Sequence, residues 1–221
     1  MKTAIIIPTL NEAKRIEKTL TELVSSGFEI IVVDDGSSDS TSEIVKQFSV
    51  NYVKHIINRG QGAALKTGTE MAIRLGYDSV AHFDADGQHR IEDLKSVIQL
   101  LEKGEHDIVL GSRFLEDNTD FPLQKRIIFN LAKIFSKQVL QLNFTDPQSG
   151  LRAFNLDKIK DLDWKKDDFQ HCTEILTLIL KNKLNYKEVP IIVNYNTEDG
   201  PKVVRPKISM GLKLIMNKIF E

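Results

Sequence analysis

The sequence predicts an α/β fold with a mainly parallel central sheet flanked by helices. Two observations carry this reading: short β-branched runs alternate with stretches of helical apolar spacing, and a polar cluster follows each early run. Residues 4–7 read as the first strand. Asn11 stands where a helix cap is wanted, and Ile16, Leu20, Leu23 and Val24 then share one helical face until Gly27 stops it. Residues 29–33 form a second buried strand, Ser40 or Thr41 caps a short helix through Phe48, and residues 52–55 make a third, weaker strand. A helix over 62–75, closed by Gly76, leads to a fourth strand at 79–83, and a helix from about Glu92 to Glu102 leads to a fifth at 107–110. The second half is less regular. It reads as a helix over 123–140, a polar loop over 143–150, a helix over 173–180, a strand over 186–193 and an amphipathic helix over 206–221.

With 221 residues, 41% hydrophobic and 28% charged, the chain has ordinary globular composition, and it shows no internal repeat or low-complexity linker. A single domain over 1–221 is expected, in two parts, 1–115 and 116–221. The formal net charge of −1 argues against nucleic acid as a partner. The apolar run 4–7 is cut by Pro8, too short for a signal-peptide core or a membrane span, and no other stretch approaches spanning length. One cysteine, Cys172, excludes an internal disulfide; with no secretory leader visible, a reducing, cytoplasmic setting is expected.

Polar residues gather after successive strands at 8–12, 34–39, 58–62 and 84–89. In open α/β sheets that carboxyl edge is where ligands bind, so one pocket can collect all four loops. Within 34–39, a carboxylate such as Asp35 can accept from a ribose or a base while Gly36 permits the turn; an Asx turn with a helix cap is the plainer alternative. Asp84 and Asp86 flank one small residue, Ala85, so both carboxylates can approach one divalent cation, with Gln88 as an additional ligand or supporting group. A solvated acidic turn is the competing reading. The run 58–64 lacks phosphate-loop spacing and reads as a small-residue turn. Arg113, after the fifth strand, and Arg152, in the later loop, suit either bidentate phosphate binding or salt bridges. The 123–140 stretch, with Lys125, Arg126, Lys133 and Lys137, and the 206–221 stretch suit either a bilayer surface or the core.

Taken together, these motifs resemble the family 2 glycosyltransferases, and within them the dolichyl-phosphate mannose synthase-like, polyprenyl-phosphate sugar transferases. The matching pieces are 6–12, 32–39, 58–62, 83–89, 111–113, 149–154 and 173–176, in the expected order over nearly the whole chain. The resemblance implies a GT-A fold, with 1–115 binding a nucleotide diphosphate sugar and 116–221 binding the acceptor. It places Pro8, Leu10, Glu12, Asp35, Gly36 and Ala85 about the donor, and Asp84, Asp86 and Gln88 about Mg²⁺ or Mn²⁺. It also puts Arg113 and Arg152 near an acceptor phosphate, Glu174 beside sugar or acceptor, and Lys202 and Arg205 in a basic lid. Gln61 departs from the family by standing where many relatives carry a basic residue. The implied activity is inverting transfer of a hexose-type sugar to a polyprenyl phosphate, from the cytoplasm or the cytoplasmic membrane face. Transfer to a soluble hydroxyl acceptor, noncatalytic nucleotide-sugar binding and nucleotidyl transfer are the alternatives.

Overall fold

The computed structural model describes residues 1–115, 144–159 and 163–194. In chain order the elements are β1 (Thr3–Thr9), α1 (Ile16–Ser25), β2 (Glu29–Asp34), α2 (Thr41–Val45), β3 (Asn51–Lys54), α3 (Gln61–Arg74), β4 (Ser79–His82), α4 (Ile91–Glu102), β5 (Ile108–Ser112), β6 (Arg152–Asn155), α5 (His171–Lys181) and β7 (Tyr186–Pro190). They build a seven-stranded sheet in the order β3-β2-β1-β4-β6-β5-β7. The first four strands in that order run parallel, as the alternating pattern predicts. β6 runs against both of its neighbours, while β5 and β7 are parallel.

β1 shows why the sheet sits in the middle. Ala4, Ile5, Ile6 and Ile7 are all fully buried, so both faces of the strand are covered, as expected of a parallel strand between helical layers. Side chains alternate between the faces. Ile6 joins Ile31, Val33, Ala64, Val80, Phe154 and Ile175 on one side, while Ile5 and Ile7 join Leu20, Leu23, Leu94 and Val97 on the other. The first side takes residues of α3 and α5, the second those of α1 and α4. α3 approaches closely because of Gly68, where a Cβ would run into Cγ2 of Ile6 and come within 3.2 Å of Cγ2 of Val33.

Three local expectations are corrected. Asn11 does not cap α1: it adopts a left-handed conformation (φ 54°), its amide donates to Ser37 Oγ at 2.9 Å, and its side-chain oxygen accepts the Ser38 amide at 2.9 Å. It ties the first loop to the second. Neither Ser40 nor Thr41 provides a side-chain cap; Asp39 does that work, accepting the Thr41 amide at 3.0 Å and the Thr41 hydroxyl at 2.5 Å. Arg152 lies on a strand rather than in a loop, because the short run Arg152–Asn155 finds ladder partners on both sides. The helices expected over 123–140 and 206–221 fall outside the described residues. Among the described residues no helix is long and apolar enough to cross a membrane.

Candidate functional site

The carboxyl ends of the parallel strands open into a pocket of about 420 Å³. Pro8, Thr9, Leu10 and Glu12 come from the end of β1, and Asp35 from the end of β2. Asn58, Gly60, Gln61 and Ala64 come from the turn into α3, and Asp84, Ala85 and Asp86 from the end of β4. Seven of the residues expected at the donor and its metal therefore share one cavity. Gly36 forms the turn behind Asp35 with φ 83°, and a Cβ there would stand 2.9 Å from the Asn58 amide nitrogen, so the second and third loops close together only around a glycine.

Asp84 and Asp86 sit in unequal surroundings. Asp84 Oδ1 accepts from Gln61 Nε2 at 2.8 Å, and Oδ2 lies 3.5 Å from His89 Nε2. Burial pushes its pKa up, but the hydrogen bond and charge of His89, with His171 and Arg152 behind, outweigh burial and hold it below the ordinary value. Asp86 lacks those side-chain hydrogen bonds and feels His89 only through its charge. Its Oδ1 accepts the Gln88 amide at 3.1 Å, and burial together with the neighbouring Asp84 raises its pKa to about 6. Two carboxylates that repel at this range are what a divalent cation would relieve, and the donor set, all oxygen, suits Mg²⁺ or Mn²⁺. Among the described residues no three His, Cys, Asp or Glu side chains form a cluster able to hold an ion unaided.

Behind Asp84 lies a smaller cavity of about 120 Å³, sharing Gln61 and Asp84 with the first and bounded by His82, Gln148, Arg152, His171 and Cys172. Arg152 is 2% exposed, and its Nη2 has no hydrogen-bond partner. The reversed direction of β6 brings it there, since Arg152 pairs with His82 at the carboxyl end of β4. Burial would raise the Cys172 thiol pKa, yet Arg152 and His171 lower it to about 7.

Other expected residues stand elsewhere. Arg113 is gripped by the buried Asp146, with Nε to Oδ2 and Nη2 to Oδ1 both at 2.6 Å, and its amide donates to Oδ2 at 3.1 Å. The Glu174 carboxylate accepts the amides of Lys165 at 3.0 Å and Lys166 at 2.7 Å, fastening the segment before α5. Lys202 and Arg205 lie outside the described residues. The sequence motifs assigned no role to His55, His89, His171 or Cys172; lone histidines carry no spacing signal, and only the place of His55 directly after β3 and of His89 in the loop after β4 pointed toward the site.

A family model described as "Glycosyl transferase family 2" matches residues 4–163. The chain belongs to that family. Among its relatives, a UDP-N-acetylglucosamine–dolichyl-phosphate N-acetylglucosaminyltransferase of Methanococcus voltae is 36% identical, covering 86% of this chain and 85% of that protein. A polyprenol monophosphomannose synthase of Mycolicibacterium smegmatis is 29% identical over 86% of this chain and 76% of its own. The solved glucosyl-3-phosphoglycerate synthase of Mycobacterium tuberculosis superposes with a TM-score of 0.72 at 18% identity, covering 99% of this chain and 79% of that one. That likeness bears out the GT-A fold.

Proposed function

We propose that this family 2 glycosyltransferase moves a sugar, with inversion, from a nucleotide diphosphate donor to a polyprenyl phosphate. The observation that carries the donor side is the convergence of Glu12, Asp35, Asp84 and Asp86 on one 420 Å³ pocket at the sheet's carboxyl edge. The acceptor class is supported by the relatives that act on dolichyl phosphate and make polyprenol monophosphomannose. Asp84 and Asp86, with Gln88, would hold Mg²⁺ or Mn²⁺, which when bound neutralises charge on the departing diphosphate. Gln61 and His89 orient Asp84, leaving the less engaged Asp86 to face the pocket.

In this transfer an oxygen of the lipid phosphate forms a bond to the anomeric carbon, and the carbon–oxygen bond to the diphosphate breaks, its electron pair leaving with the nucleotide. An acceptor phosphate is already anionic near neutral pH and needs no base; it needs cationic positioning. Arg152, buried beside Asp84 with an unpartnered nitrogen, supplies it more readily than Arg113, whose fork is taken by Asp146. Glu174, engaged by two amides, is poorly placed to take a hydroxyl proton, which disfavours a sugar hydroxyl as acceptor. Labelled donor incubated with polyprenyl phosphate and with soluble sugars decides the matter: product is expected on the lipid phosphate, and product on hydroxyl acceptors alone overturns the reading.

A further inference from the structure

Two adjacent aspartates follow the second strand, and their surroundings divide the labour between them. Asp34 is fully buried: Oδ1 accepts the Ser37 amide at 2.7 Å, and Oδ2 accepts the Ser42 hydroxyl at 2.5 Å and the Tyr52 hydroxyl at 3.0 Å, with Lys54 Nζ 3.6 Å away. It braces the loop. Asp35 lines the pocket and is itself held by three N–H groups. Oδ1 accepts from His55 Nδ1 at 2.7 Å and from the Arg59 amide at 2.9 Å, while Oδ2 accepts the Gly60 amide at 2.7 Å. An ionised carboxylate offers about four acceptor directions. Oδ1 has spent both of its own, and Oδ2 retains one.

His55 is what keeps Oδ1 occupied. The residue is 8% exposed, its amide donates to the Asp34 carbonyl at 2.8 Å, and its Nε2 lies 3.0 Å from Thr67 Oγ1, so the ring is held at both ends. Since a carboxylate oxygen only accepts, Nδ1 carries the proton in this bond.

We infer that His55 sets the base preference of the donor site, leaving Asp35 one acceptor that fits the single ring N–H of uracil, and that the donor is a uridine diphosphate sugar. Guanine presents a ring N–H and an amino N–H side by side, and that pair asks for both carboxylate oxygens. With Oδ1 saturated, one guanine donor would be buried unpaired. Cytosine and adenine set an amine beside an unprotonated ring nitrogen, whose lone pair would face the carboxylate. Uracil offers one N–H between two carbonyls and leaves no donor unmatched on that edge.

The inference rests on the pocket being a nucleotide-sugar site, and calorimetry of the full chain with Mn²⁺ separates the two claims. UDP is expected to bind about tenfold or more tighter than GDP, CDP or ADP. His55→Phe keeps a flat ring but frees Oδ1. It should weaken UDP about tenfold, shrink the UDP-to-GDP ratio by about fivefold or more, and raise the donor KM while leaving kcat little changed. His55→Asn, whose amide nitrogen can stand near Nδ1, should restore the ratio. A purely structural role would weaken all nucleotides alike and leave the ratio intact, which overturns the inference. Tighter binding and turnover with a GDP or ADP sugar overturns the base assignment alone; no binding of any nucleotide overturns the functional reading with it.

Discussion

Replacing Asp86 by Asn should make the metal-free protein more stable and the enzyme inactive. Burial and Asp84 raise the Asp86 pKa from 3.8 to about 6, so the folded chain holds a proton that the unfolded chain releases. Folded stability is therefore intact below about pH 4, falls as pH rises through about 4 to 6, and stays reduced above that window. Each pH unit of the window is worth about 1.4 kcal/mol, giving a ceiling of about 3 kcal/mol. Because Asp86 is only partly buried, solvent screening lowers the expected gain to about 1–3 kcal/mol. For a chain of 221 residues that is about 3–9 °C in Tm. Asn preserves the shape and can still accept the Gln88 amide, so the charge alone is removed. Thermal denaturation with chelator should show the full gain at about pH 7.5 and only a small part of it at about pH 4. With Mn²⁺ and a nucleoside diphosphate, the wild type should gain stability that the variant does not. A variant less stable than wild type at both pH values, or equally stabilised at both, refutes the reasoning.

Gly68→Ala should destabilise despite the helix-propensity gain of about 1 kcal/mol, because the added methyl meets the buried Ile6 and Val33; a net loss of about 1–3 kcal/mol in urea denaturation is expected. Arg113→Met should cost about 3–5 kcal/mol by stranding the buried Asp146, whereas the double variant Arg113→Met with Asp146→Leu should recover much of it, as measured by Tm. Chelation should abolish turnover, and Mg²⁺ or Mn²⁺ should restore it, with Asp84→Ala unresponsive to either ion in a donor-consumption assay.

The first half of the fold was legible because β1, β2, β4 and β5 are buried on both faces and bounded by glycines and polar turns, so that hydrophobic runs mark them, while the half-exposed β3 gives a weaker signal. Residues 29–33 and 79–83 were placed to within a residue of β2 and β4. β6 was not legible: Arg152–Asn155 has no β-branched residue and only two apolar side chains, and it becomes a strand by pairing with β4 and β5. In the site, the aspartates could be read from spacing, since chemistry and turn geometry both demand them there. The pairing of His55 with Asp35 could not be read, because it joins residues 20 apart across α2 and β3 and leaves no local pattern. Arg113 was legible as a cation but not as a partner of Asp146, a pairing 33 residues apart in sequence.

The reversal of β6 has a chemical consequence. A strand entering this sheet parallel to β4 would begin at the edge remote from the ligand, and a residue at its start would sit there. Because β6 runs the other way, its first residue lies against His82, the last residue of β4, two positions before Asp84. A buried cation is thereby set beside the carboxylate edge without a long loop to carry it. Its charge helps hold Asp84 ionised while Asp86, farther from that support, has its pKa raised to about 6. One antiparallel strand in a largely parallel sheet thus adds to an asymmetry between the two carboxylates that His89 chiefly sets. Arg152→Met should consequently raise the Asp84 pKa, visible in the carboxyl carbon shifts of the titrated metal-free protein; an unmoved Asp84 would show that His89 and His171 suffice.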